Sequence, residues 1–354
     1  MSSSISARLR LSKSRVPRKP QKPRSPVGEQ KGLVYTISPE KLLLYADRGL
    51  VVINKPNGMI TQVADSRILP LTPNVDTNIF LTFMEDLRKH LKLKEPLRPL
   101  HRLDKPTTGA LALACTRQNA KDFSRQISFR KAEKTYLALV CGDSSKFAKP
   151  RGIISTKLEC EQGWVRIPGA RRVFEREQVR NPRIRGENWV KDAISEYEVV
   201  ASSTKVPLSL LRLQLHTGLK HQLRVHLAQY LRTPILGDNL YMDVKSPIMK
   251  TIKSQVPIPW GLFLHSSRFS LLRYRPSEFR LTVGAPLPPS FVDICEKAGI
   301  PLDYDDVTGG VWADDQKVRG ADIVSPEDQA EDAVQQLGGV WFGASLHPEE
   351  DLTQ

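Results

Sequence analysis

Apolar positions along this chain follow two periods, and the period changes from segment to segment. Leu50-Val51-Val52-Ile53 is an unbroken apolar run, the pattern of a short strand buried on both faces. Lys55-Pro56-Asn57-Gly58 ends it with turn-forming Pro and Gly. Ile79, Phe83, Leu87 and Leu91 then recur every fourth residue between polar ones, predicting an amphipathic helix over roughly residues 77–93. Gly109 to Ala114 reads as a strand, Thr116 as the cap of a helix carrying Ala120, Phe123 and Ile127, and Thr135 to Val140 as another strand. Ile194, Tyr197 and Val199, then Leu208, Leu210, Leu211, Leu213 and Leu215, mark two more strands. A helix over residues 219–231 is expected to pack through Leu223, Leu227 and Tyr230, and strands near 262–274 and 279–283 close a mixed α/β fold.

Composition sets the limits. No apolar run approaches the ~20 residues that span a bilayer, so no membrane partner is expected. The four cysteines are scattered without Cys-x-x-Cys spacing, which favours a reducing compartment and core packing over disulfides or zinc. Charge divides the chain. Its net +15 separates into +8 over residues 1–31, +18 over 32–300 and −11 over 301–354. A folded middle with that cationic excess attracts a polyanion, RNA or DNA first.

Three regions are expected. Residues 1–31 are a disordered basic arm or mitochondrial presequence, because the first 26 hold seven Ser, eight Lys or Arg, four Pro and no acid. A nuclear or nucleolar arm is the competing reading. Residues 32–300 form the main domain and 301–354 an acidic extension, in which Gly-Gly-Val-Trp occurs at 309–312 and again at 338–341. Those copies read as a self-packing appendage or as a segment competing for the basic surface. Eight basic residues between 165 and 191 suggest a protruding hairpin that contacts RNA.

One carboxylate draws attention. Asp104 is the only acid between Glu95 and Asp122, at a turn among His101, Arg102 and Lys105. Neighbouring cations keep a carboxylate ionised and able to act as nucleophile or base, while an Asp at a turn can equally be a structural cap. Tyr136 alternates along its strand like a packing tyrosine and Leu264 like a core residue. Histidines 216, 221 and 226 lie close in sequence, but five-residue spacing turns about 140° on a helix and changes face on a strand, so no metal site is expected.

His101-Arg102-Leu103-Asp104-Lys105-Pro106-Thr107-Thr108-Gly109 resembles the active-site motif of the RluA-type pseudouridine synthases. Lys55-Pro56-Asn57-Gly58 resembles that family's upstream loop, and Lys134 to Gly142 its tyrosine-bearing strand. His216-Thr217-Gly218 with His221 to Leu227, then Pro234 to Tyr241, resemble its third motif. Leu264-His265 and Ala285 to Pro288 resemble its end. The motifs keep the family's order over residues 41–292, although Leu219-Lys220 stands where the family reads Arg-Thr.

The resemblance implies a pseudouridine synthase fold, with a largely antiparallel central sheet flanked by helices and an RNA-binding cleft. It implies isomerisation of uridine to pseudouridine without cofactor or metal, by a monomer. Asp104 is then the catalytic carboxylate, Arg224 its partner, Tyr136 a ring stacked on the flipped uracil and Leu264 a wall of the same pocket. Lys55, His101, Arg102, Lys105, Lys134, Lys220 and His221 are the implied RNA contacts, with Arg102 filling the space the base vacates or gripping a phosphate. Ribosomal RNA, above all that of the mitochondrial large subunit, is the expected substrate and transfer RNA the alternative. A non-catalytic RNA-binding assembly factor is the other class.

Overall fold

The computed structural model describes residues 38–61, 75–170, 188–274, 277–319 and 338–343. The basic arm, most of the 165–191 segment and most of the acidic end lie outside them. Fourteen strands form one sheet: β1 (Leu43–Asp47), β2 (Leu50–Lys55), β3 (Arg98–Pro99), β4 (Thr108–Ala114), β5 (Glu133–Cys141), β6 (Arg151–Glu161), β7 (Trp164–Arg166), β8 (Trp189–Ser202), β9 (Leu208–Leu215), β10 (Leu264–Arg273), β11 (Phe279–Gly284), β12 (Gly310–Ala313), β13 (Gln316–Arg319) and β14 (Gly339–Trp341). The spine runs β14-β1-β2-β4-β10-β5-β9-β8-β6-β7. Only β4 and β10 pair in parallel, with His265 opposite Thr108.

Burial on both faces explains the unbroken strand patterns. Val51 and Ile53 of β2, with Leu111 and Leu113 of β4, enter one core with Phe83 and Leu87. Leu50, Val52, Ala110 and Ala112 enter another with Phe269 and Leu271. Helices α1 (Pro39–Leu42) and α2 (Val75–His90) precede the β3–β4 turn. Helix α3 (Arg117–Ser128) begins where expected, the Thr116 hydroxyl accepting from the Asn119 N–H.

The predicted 219–231 helix is shorter and less regular. It is a single α-turn, α4 (Gln222–Val225), followed by a π-turn at His226–Tyr230. Leu223 and Leu227 are buried, but Tyr230 is exposed, because the wider π-turn rotates the ring off the packed face. The remaining helices are α5 (Pro247–Gln255), α6 (Pro289–Ala298) and α7 (Tyr304–Thr308). No described helix is long and apolar enough to cross a membrane.

The sheet continues past residue 300. The first Gly-Gly-Val-Trp copy supplies β12, which pairs with β11, and the second supplies β14, which pairs with β1. Both copies are therefore strands added to sheet edges, where small glycines and a buried Trp suit close pairing. Asp306 ties this region down. It is buried and takes Arg212 at 2.9 Å and Arg268 at 3.3 Å.

Candidate active site

The Asp104 turn closes on itself and is tied down by its surroundings. Thr107 N–H donates to the Asp104 carbonyl at 3.0 Å, and Gly58 N–H donates to the Lys105 carbonyl at 3.0 Å. Thr61 Oγ1 donates to the Leu103 carbonyl at 2.9 Å. Lys55 adds the strongest tie: its Nζ donates to the carbonyls of Pro56, Lys105 and Thr107 at 2.8, 3.0 and 2.7 Å. Three donors of one ammonium meet three backbone acceptors. Lys55 is fully buried, so the RNA contact expected of it is corrected. Its ammonium staples the turn, and burial pulls it down to about 7, with nearby Asp104 opposing the shift. Gly109 is required just beyond, since its φ is +105° and a Cβ there would fall 2.3 Å from the Ser266 carbonyl oxygen.

Opposite Asp104 stands Arg224, on α4 and almost wholly buried. Its Nη1 lies 3.6 Å from Asp104 Oδ2. The planar fork, however, closes on a different carboxylate: Nε and Nη2 each donate to Asp238 at 2.7 Å. Asp238 also accepts from the Leu240 and Tyr241 N–H groups. Arg224 thus bridges two carboxylates, one fully buried and one facing the cavity. Asp238 escaped the sequence reading as a site residue, although it is the first acid after the acid-free basic stretch 199–237. That isolation was the available signal.

His221 sits in the left-handed region at φ +53°, a sparsely used conformation for a non-glycine residue. Its Nδ1 meets the Tyr241 hydroxyl at 2.9 Å, and that hydroxyl gives its one proton to the Val165 carbonyl. The other ring nitrogen, Nε2, lies 4.0 Å from Asp104 Oδ2. The Tyr241 ring also underlies the Arg224 guanidinium, 5.3 Å from its centroid.

These groups line a cavity of about 340 Å³ that holds Arg102, Asp104, Lys134, Tyr136, His221, Arg224 and Leu264 together. Tyr136 and Leu264 are buried on neighbouring strands β5 and β10. Burial, helped by the Asp104 charge, raises the Tyr136 hydroxyl above its ordinary range, so it stays neutral. Lys134 is half-buried and its ammonium is pulled down by that burial. Arg102 lines the cavity and is exposed, and Lys105 next to Asp104 is exposed.

Two other expected RNA contacts are placed differently. His101 stacks on Phe269 with ring centroids 5.1 Å apart, and its Nε2 accepts from the Ala112 N–H. Lys220 gives its amine to the Gly163 carbonyl at 2.9 Å, spanning to the β6–β7 turn. Both nevertheless line the cavity. His216 faces Glu196, and His226 lies between Ser195 and Thr156, so the neighbouring histidines have separate partners.

Four enclosed histidines give the fold an acid limit. Burial is the first cause that pulls His101 and His221 down to about 3, and His226 and His265 to about 4. The unfolded chain binds these protons near 6.5 while the folded one refuses them. Their contribution is therefore complete above about pH 6.5 and is lost as pH falls toward 4, at about 1.4 kcal/mol per pH unit for each proton. The melting temperature is expected to drop steeply across that window in a pH series of thermal melts. A flat profile would mean that the rings protonate within the fold.

The sheet, the stapled turn and the cation-rimmed cavity define an enzyme that modifies RNA. The chain belongs to the RNA pseudouridylate synthase family, whose pattern matches residues 49–229. It is an isomerase that converts uridine in RNA to pseudouridine. It is similar to the mitochondrial pseudouridylate synthase RPUSD4 of Xenopus tropicalis, with 29% identity over 76% of this chain and 84% of that one. It is also similar to the dual-specificity RNA pseudouridine synthase RluA of Yersinia pestis, with 28% identity over 59% and 85%. Among solved structures, human RNA pseudouridylate synthase domain containing 4 superposes with a TM-score of 0.54, at 26% identity over 73% of this chain and 94% of that chain.

Proposed function

We propose that Asp104 is the carboxylate that acts on the ribose of the target uridine, and that the target lies in mitochondrial large-subunit ribosomal RNA. The observation that carries the first part is the approach of Arg224 Nη1 to Asp104 Oδ2 inside the cavity. An opposite charge there holds and aims the carboxylate. Asp104 then serves as nucleophile at C1′ or as base at C2′. The N1–C1′ bond breaks, the uracil turns, C5 bonds to C1′, and the C5 proton leaves while N1 regains one. Atoms and electrons balance without a redox partner. Tyr136 stacks on the uracil and Leu264 closes the wall beside it. Because the base must leave its stack at a cost of a few kcal/mol, exposed Arg102 fills or braces the gap.

The organellar address is supported by the acid-free, Ser- and Arg-rich first residues and by relatives named mitochondrial. Sites of pseudouridine are expected to vanish from mitochondrial large-subunit ribosomal RNA when the gene is deleted, as mapped across total RNA. Loss confined to transfer RNA would overturn the ribosomal target. Retention of a fusion of residues 1–30 with a fluorescent protein in nucleus or cytoplasm would overturn the address.

A further inference from the structure

A tryptophan that the cavity does not use stands on the same side of the sheet as the Asp104 turn. Lys55, at the end of β2, pairs with Gly109, and Thr108, at the start of β4, pairs with His265 near the start of β10. These three strand ends therefore lie at one end of the sheet. Trp260 precedes β10 by four residues and is fully exposed, the most exposed large apolar side chain described.

Its position is fixed by backbone packing. A Cβ on Gly261 would touch Asn57 Nδ2 at 3.5 Å, and a Cβ on Gly237 would fall 1.7 Å from the Gly261 carbonyl oxygen. Gly237 has φ +77°, so only glycine permits that approach. Gly58, next to Asn57, in turn bonds Lys105 beside Asp104. The Trp260 loop is thus seated against the loop that holds the catalytic turn.

The stretch of chain that carries it has charge of one sign. Helix α5 leads into this loop, burying Met249 and Ile252 while exposing Lys250 and Lys253, with Lys245 exposed just before it. From Val244 to Ser277 the sequence contains no acid. An exposed indole in an acid-free, lysine-bearing stretch of chain suits a polyanion that also offers flat π-faces, which is single-stranded RNA. A protein partner anchored by an exposed Trp would not by itself account for the lysines.

We propose that Trp260 is a stacking platform for an unpaired base flanking the target uridine, with Lys250 and Lys253 gripping the adjoining phosphates. The inference rests on the Asp104 cavity as the place where RNA reacts. It adds a second contact to RNA, one that selects unpaired over paired substrate because only an unstacked base offers a free face.

The test uses the full chain and two fluorescein-labelled probes of equal length, a hairpin RNA with a uridine-rich unpaired loop and a fully paired duplex. Trp260→Ala is expected to weaken hairpin binding about tenfold, the lower part of the range for one stacked base, with little change for the duplex. Trp260→Phe keeps a π-face and is expected to restore most of the loss. Tryptophan emission is expected to be quenched by the hairpin, with a smaller quench in Trp260→Phe. The Lys250→Ala/Lys253→Ala pair is expected to weaken both probes and flatten the salt dependence by roughly one unit of slope per lost phosphate contact. Wild-type affinity and quench in Trp260→Ala would overturn the proposal. An equal loss on both probes would overturn the stacking role. The binding readout does not depend on turnover, so failure to form pseudouridine would remove the Asp104 reading and leave this one to be judged separately.

Discussion

Asp104→Asn is expected to abolish pseudouridine formation, by roughly 10⁴-fold or more, while leaving RNA binding within a few-fold of wild type. The substitution keeps the size and most of the shape of the side chain. It removes the negative charge that the Arg224 Nη1, 3.6 Å away, would hold in place, and an amide is neither nucleophile nor base at neutral pH. RNA affinity survives because the exposed cations beside Asp104, Arg102 and Lys105, are untouched. Tritium placed at uracil C5 provides the measurement, since that hydrogen leaves when C5 bonds to the sugar. Equal tritium release from wild type and variant would sink the assignment of Asp104.

The second large effect falls on stability. Asp238→Ala is expected to destabilise the fold by about 3–5 kcal/mol, because breaking a buried pair leaves its partner charged and unpaired. The Asp238 side chain is fully enclosed, and its carboxylate collects two guanidinium donors and two backbone N–H groups. Removing it orphans all four. Arg224 is then free to swing toward Asp104 or away from it, so turnover should fall beyond what unfolding explains. Denaturant titration gives the first quantity, and activity per folded molecule gives the second. Arg224→Lys separates charge from geometry: a lysine supplies a cation but not the fork that spans both carboxylates. A variant at Asp238 as stable as wild type would mean that the pair is solvated.

The two predictions share a cause. Arg224 reaches Asp104 with one nitrogen because Asp238 holds the other two, so a fully buried acid positions a guanidinium for a partly exposed one. Lys55 does the same for the backbone, fixing the turn from beneath through three carbonyls. Neither holding residue touches the cavity, since Lys55 and Asp238 are both absent from its wall.

The sequence alone determined the order of elements and singled out the central turn. Strand β2, helix α2, the Thr116 cap and strand β9 follow from periods that depend only on neighbouring residues, because a side chain's face is set locally by the backbone repeat. Asp104 stood out as a lone acid among cations for the same reason: charge order is written along the chain. Residues defined by distant partners behaved otherwise. Lys55 looked like an RNA ligand in a basic motif, but three backbone carbonyls claim its ammonium. Asp238 carries no role along the chain until the fold brings it 2.7 Å from Arg224, fourteen residues earlier. The Gly-Gly-Val-Trp copies seemed an appendage, although each finds a different sheet edge. A cation's role depends on whether it meets water or a buried acceptor, and a strand's on which edge is free. Both are decided by burial and pairing between remote segments, which no local pattern records.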